Sequence, residues 1–145
     1  KRTVSTSKST EMSIFFLLEK TSKIIRERIG EYLTQHNSKV TTVQWLCVHC
    51  VHENPGIKQK DLAQKLSKEE ASISRIIRKL IGQNFIYRKR STSDNKTQNL
   101  YLSLDGVEII KKHQEGILKI YKNTFMGIYD REMNVVYGIL KRVNL

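Results

Sequence analysis

Ser72, Arg75 and Lys79 stand at i, i+3 and i+7 in the sequence, so in a helix they share one face. An arginine guanidinium can pair bidentately with guanine, and a serine hydroxyl can donate to a base or to phosphate. Arg78 and Lys79 are better suited to phosphate. On the opposite side Ile73, Ile76, Ile77 and Leu80 recur at i, i+3, i+4 and i+7, one clean apolar stripe that must be buried. A helix of this kind fits the major groove of DNA, with its N-terminal half toward base edges. Further along, Arg88, Lys89, Arg90 and Lys96 surround the polar segment STSDNK, and a basic tip of that kind can enter a minor groove. The competing reading is a solvated basic face on an ordinary helix.

A second cluster lies in the run WLCVHCVH. Cys47 and Cys50 are three apart, as are His49 and His52, and all four are possible metal ligands. The apolar pattern favours a plainer role. Val43, Leu46, Cys47 and Cys50 form one core-like stripe, with metal binding and thiol redox sensing as the alternatives. Trp45, Val48, His49 and His52 form a second stripe, polar and aromatic enough to line a ligand cavity. A satisfied surface or interface histidine is the competing reading for each His. His36 and His113 could join a metal site only if folding brings them close.

The elements that must hold these residues follow from periodicity. Residues 1–10 read as a disordered arm. A helix is expected over Glu11–His36, carrying Ile14, Leu18, Ile25, Ile29 and Leu33. A second runs from about Thr41 to Glu53, with Thr41 or Thr42 as N-cap, and stops at Asn54-Pro55-Gly56. A short helix follows over roughly Lys58–Leu66. A fourth is expected to start at Ser67, whose spacing to Glu70 is that of a capping box, and to end near Asn84, a residue that tolerates the left-handed conformation. Two strand-like runs, Phe85–Arg90 and Thr97–Ser103, form a hairpin. A long helix to about Tyr129 and a final helix with Met133, Val136, Tyr137 and Leu140 complete the chain.

Composition agrees with a single domain. The chain has 145 residues, 39% of them apolar and 28% charged, and a net charge of +12. Residues 54–100 alone contribute +7 of that surplus, and localised basic charge suggests a polyanionic partner. No apolar run reaches the ~20 residues of a membrane span, and the opening KRTVSTSKST shows no secretory pattern. The chain begins with Lys1, so a trimmed start is expected. Two cysteines cannot build a disulfide framework, which favours a reduced, cytoplasmic protein. No phosphate-binding loop, H-E-x-x-H or G-x-S-x-G is present, and the few acidic residues are not paired, so neither catalysis nor a cofactor is expected.

From about Val40 to Gly106 the chain resembles the MarR family of bacterial winged-helix regulators. The matching stretches are TTVQWLCVHCVHENPGIKQKDLAQKLS and ASISRIIRKLIGQNFIYRKRSTSDNKTQNLYLSLDG. The family's P-G-x-x-Q-x-x-L-A falls on Pro55–Ala63, and its T-x-x-Q-W, in shifted form, on Thr42–Trp45. The wing pattern falls on Asp94, Lys96 and Leu100–Ser103. Three positions depart from the family. Lys96 replaces the usual Arg and lacks its planar fork. Asn84 replaces a Gly, and Lys58 replaces a capping Ser or Thr and is free to face phosphate.

The resemblance implies a mostly α fold with a small β-hairpin wing. Its winged helix-turn-helix, over 37–103, would be flanked by dimerisation helices at 11–36 and 104–145. It further implies a homodimer that places two winged helices in successive major grooves of a pseudo-palindrome. The function it implies is transcription regulation, as a repressor relieved by a small-molecule effector. The sequence supports the dimer, since the first helix and residues 117–140 carry more apolar surface than one small domain covers. Residues and resemblance together nominate Lys58, Lys68, Ser72, Ser74, Arg75, Arg78, Lys79, Arg88, Arg90, Asp94 and Lys96 for DNA contact. Trp45, His49 and His52 are nominated for an effector pocket. A metal- or redox-responsive regulator and an effector-independent DNA-packing protein are the alternatives.

Overall fold

The computed structural model describes residues 8–93 and 96–145. Among the described residues six helices and three short strands follow one another. They are α1 (Lys8–Gln35), α2 (Thr42–Glu53), β1 (Ile57–Lys58), α3 (Gln59–Lys65), α4 (Glu70–Gly82), β2 (Ile86–Arg90), β3 (Gln98–Leu102), α5 (Leu104–Thr124) and α6 (Asp130–Val143). The fold is therefore mostly helical with a small antiparallel sheet. α1 begins at Lys8, so residues 8–10, expected as part of an unstructured arm, belong to the helix; residues 1–7 lie outside the described residues.

The sheet has the order β1-β3-β2. β2 and β3 form the expected hairpin, pairing Ile86 with Leu102 and Arg88 with Leu100. β1 is an addition: Ile57 pairs with Leu100 and Lys58 with Asn99. Two residues carry too little periodicity to be read as a strand. What places them is the preceding turn, where Gly56 adopts φ +85° and donates its N–H to the Leu100 carbonyl at 2.9 Å.

Three helices end on a non-glycine residue in the left-handed region: Asn37 after α1, Ser67 after α3 and Asn84 after α4. Each time the following amide reaches back five residues: Ser38 to Leu33 at 2.9 Å, Lys68 to Ala63 at 3.0 Å and Phe85 to Leu80 at 2.9 Å. These bonds satisfy carbonyls that a helix end would otherwise orphan. Asn84 thus has the expected role. Ser67 does not: it terminates α3 rather than starting α4, whose N-cap is Glu69 with no side-chain cap bond. A capping box with Glu70 would need extended backbone at Ser67, and its φ of +49° excludes that. At α2 the capping box does form, between Thr41 and Gln44: the Thr41 hydroxyl accepts from the Gln44 amide at 3.4 Å and the Thr41 amide donates to Gln44 Oε1 at 2.9 Å.

One core joins all layers. Ile29 and Leu33 of α1, Trp45, Cys47, Val48 and Val51 of α2, Leu62 of α3, Ile73, Ile77 and Leu80 of α4, Leu100 of β3, and Ile110 and Ile117 of α5 are buried together. The start of α5 is locked to the α4–β2 turn. Ser103 caps the helix by accepting from Gly106 at 3.1 Å and donates its hydroxyl to the Asn84 carbonyl. A Cβ at Gly106 would overlap the Phe85 carbonyl oxygen, so only glycine permits this approach.

Outside that core the N-terminal half of α1 and all of α6 remain uncovered. Ile14, Phe15, Phe16, Leu17 and Leu18 are exposed, and α6 buries no residue although it presents Val136, Ile139 and Leu140. Together with Leu46, Tyr121 and Phe125 these helices line an apolar groove of about 650 Å³. The long helix expected to reach Tyr129 ends at Thr124, and Gly127 at φ +86° lies in the connection to α6.

Candidate nucleic-acid interface

α4 is the strongly amphipathic helix that its spacing predicts. Ile73, Ile77 and Leu80 are fully buried and Ile76 is partly buried, while Ser72, Arg75, Arg78 and Lys79 are exposed. Neither of the ion pairs Lys23–Glu27 and Lys111–Glu108 reaches this face. Its cations are therefore available to a polyanion. Ser74 and Lys68 are half-buried and so are less accessible than the rest of the set. Lys79, toward the C-terminal end of the helix, lines a depression beside Val40, Thr41 and Gln44 of the α1–α2 junction. It is set apart from the N-terminal half of α4, where Ser72 and Arg75 stand together.

A second basic group forms where α3 meets the hairpin. Lys58 occupies the N-cap position of α3 without a side-chain cap bond, as a lysine must. It shares the wall of a cavity of about 520 Å³ with Gln59, Lys60, Arg88, Lys96, Thr97 and Gln98. The register explains this: Arg88 pairs with Leu100, which also pairs with Ile57, so β1 and the wing are neighbours. Arg88 donates to Gln59 Oε1 at 3.1 Å, which ties the wing to the start of α3. The fold thus brings Lys58, Arg88 and Lys96 together from three places in the sequence. Arg90, at the far end of β2 opposite Gln98, is exposed. Asp94 lies outside the described residues. Two members of this group, Gln59 and Lys60, were not expected from the sequence. Both follow directly on β1 at the start of α3, and the pairing of that strand with β3, which sets the start of α3 beside the wing, was the missing signal.

Residues 40–97 match the family model of the MarR family. The match covers two fifths of the chain, and over that stretch the chain is similar to the MarR family. Among curated relatives, it is 27% identical over 99 residues to the uncharacterized HTH-type transcriptional regulator YhjH of Bacillus subtilis, a match covering 67% of this chain and 56% of that protein. The chain thus spans little more than half the length of that relative. Among solved structures, the transcriptional regulator SlyA superposes with a TM-score of 0.79 at 22% identity, over 90% of each chain. A mutant MarR from E. coli, complexed with operator DNA, superposes with a TM-score of 0.78 at 17% identity, over 95% of this chain and 99% of that one. Both share the winged-helix fold seen here.

In this winged-helix fold the two stripes of α2 have different burial from that expected. Trp45 and Val48, assigned to a cavity-lining stripe, are core residues with 3% and 0% exposure. Leu46, assigned to the core stripe, lines the apolar groove instead. The reason is that α2 is packed on several sides, by α1, α5, α4 and the sheet, so neither of its faces is open as a whole. His49 and His52 are half-buried, and neither lines the groove. Burial pushes the Cys47 thiol up to about 12 and raises that of Cys50 as well. Neither thiol is then a ready thiolate near neutrality, which speaks against redox sensing. Among the described residues no group of three or more His, Cys, Asp or Glu could hold a metal ion.

His113, marked in the sequence only as a remote metal-site candidate, packs against Tyr32, which the sequence did not mark. His113 is fully buried on α5, edge-on to Tyr32 of α1 at 5.7 Å and to Trp45 of α2 at 6.2 Å between ring centroids. Tyr32 also meets the His36 ring in a tilted arrangement, at 4.1 Å between centroids. A Cβ at Gly116 would overlap the Tyr32 ring, so the tyrosine lies directly on the α5 backbone.

Proposed function

We propose that this chain is a sequence-specific, double-stranded DNA-binding transcriptional regulator that acts as a homodimer. In this reading α4 enters the major groove, with Ser72 and Arg75 at base edges and Arg78 and Lys79 on the backbone. The α3–wing group of Lys58, Arg88 and Lys96 grips the flanking phosphates, with Arg90 beside it. The observation that carries the reading is the α4 face itself: Ile73 and Ile77 fully buried behind, exposed cations in front, on a winged-helix fold. The uncovered apolar faces of α1 and α6 support a second copy as partner, since a 14-residue helix with no buried side chain has little to hold it in water. A two-fold dimer then reads half-sites about one DNA turn apart.

The regulatory reading is a cytoplasmic repressor released by a small-molecule effector, with His49 and His52 as the polar candidates for effector contact. No described helix is long and apolar enough to cross a membrane.

Selection from a random duplex library with the full chain tests the proposal. An inverted repeat should emerge with half-sites about ten base pairs apart. Equal retention of all sequences would instead favour a DNA-packing protein of the same fold.

A further inference from the structure

His113 is a titratable group enclosed where three helices meet. It comes from α5 and packs against Tyr32 of α1 and Trp45 of α2. Both ring nitrogens are fully enclosed and neither has a protein hydrogen-bond partner. That is an expensive arrangement for an imidazole, and buried polar groups are normally paired. Leucine or phenylalanine would fill such a space without that cost. The junction is also tight: Tyr32 lies on Gly116 with no room for a Cβ, so a displaced His113 ring has nowhere to go without moving a helix.

The charged and titratable groups around it oppose a proton. Burial, then Lys112 on its own helix, then His36 just past the end of α1, hold His113 below its ordinary value. His49 on α2 lies across Trp45, at 5.8 Å from that ring. On the solvent side of Tyr32, Glu115 and Lys119 share a surface depression with His36 and Lys112; of these Glu115 alone is acidic, and it is not among the groups that shift His113.

We propose that His113 is an acid-sensitive latch: the neutral imidazole closes the junction of α1, α2 and α5, and its protonation in mild acid loosens that junction. The loosening reaches DNA because α2 packs on both α4 and the sheet, and that consequence rests on the DNA-binding reading above. The sign is fixed by linkage. A histidine whose folded pKa is lowered leaves the folded state with fewer protons than the unfolded chain. Stability is therefore full above about pH 6.5 and falls as pH drops below it, by up to tenfold in the folding constant per pH unit.

The single tryptophan of the chain, Trp45, makes this measurable, because a protonated imidazole against an indole quenches its emission. The experiment follows Trp45 emission and the urea midpoint of the full chain, without DNA, from pH 8 to pH 5. Wild type should lose stability as pH falls below about 6.5, and lose native emission at lower pH, where the folded-state imidazole itself takes a proton. His49→Gln, which removes the nearer imidazole from Trp45, should retain both changes, and in that background His113→Phe and His113→Gln should each abolish the emission change and flatten the stability slope. Retention of the wild-type transition in whichever His113 variant folds, or its loss in His49→Gln alone, would overturn the proposal. Binding to a random 25-base-pair duplex over the same range completes the test. Weakening in acid relative to His113→Phe supports the link to DNA. An absence of DNA binding at every pH would refute the DNA-binding reading while leaving the latch to be judged on Trp45.

Discussion

Replacing Leu140 by Asp should break the proposed dimer without unfolding the chain. Leu140 is 37% exposed and lines the apolar groove with Val136, Ile14, Leu17 and Leu18, which are 45–61% exposed. Full burial of a leucine side chain is worth about 1.5–3 kcal/mol, so the third still exposed here is worth about 0.5–1 kcal/mol on association. Placing a carboxylate in the same desolvated site adds several kcal/mol unless it is paired. A two-fold interface counts each change twice. The sum is at least about 4 kcal/mol, close to a thousandfold in Kd. Leu140→Ala, which removes only apolar area, should weaken the dimer by about tenfold. Sedimentation equilibrium at micromolar concentration reads both. Wild type should run at twice the 16.9 kDa chain mass and Leu140→Asp near the single-chain mass, with far-UV circular dichroism losing at most the helical signal of α6, because α6 contributes nothing to the core. A wild type that sediments as a monomer, or a Leu140→Asp variant with wild-type affinity, would refute the reasoning.

Arg75→Ala should cost roughly 1–3 kcal/mol per half-site and relax preference at one base pair. Lys96→Ala should weaken specific and random duplexes alike, and Lys96→Arg should keep or improve binding; fluorescence anisotropy on selected and scrambled duplexes separates these outcomes. Gly106→Ala forces a methyl into the Phe85 carbonyl and should destabilise the chain by at least about 2 kcal/mol, seen as a lower urea midpoint with an unchanged slope. Cys47, with its thiol pushed up to about 12 by burial, should resist alkylation at pH 8 until the chain is unfolded, while a small reagent reaches the half-buried Cys50 first; prompt double labelling of the native protein would contradict that burial.

The legible parts of the fold were those with a repeating signal. The α4 stripe of Ile73, Ile77 and Leu80 is fully periodic, and its exposed counterpart of Ser72 and Arg75 follows from geometry alone. Asn84 was readable because few residues tolerate its backbone conformation. Ser67 was misread because the same local spelling, Ser followed three residues later by Glu, suits a helix start, whereas the structure uses the serine to end the preceding helix; local sequence does not say which side of a serine is helical. β1 escaped because two residues have no period, and with it went the grouping of Lys58 and Lys60 with the wing. Trp45 was placed on a cavity wall because an amphipathic stripe suggests an open side, yet tertiary packing closes over α2 from several directions. His113 was noted only as a remote metal-site candidate. Its enclosure by Tyr32 and Trp45 depends on residues 81 and 68 positions away, and no local pattern contains that.

The central claim is that the cations of α4 and of the α3–wing group meet DNA phosphates in a dimer. The most direct test is the salt dependence of binding to the selected duplex. If the dimer neutralises roughly 8 phosphates, log K should fall against log salt with a slope of about −7, and each Lys96→Ala subunit should reduce that slope by about 1. A flat dependence, or a slope unchanged by removing these side chains, would contradict the account.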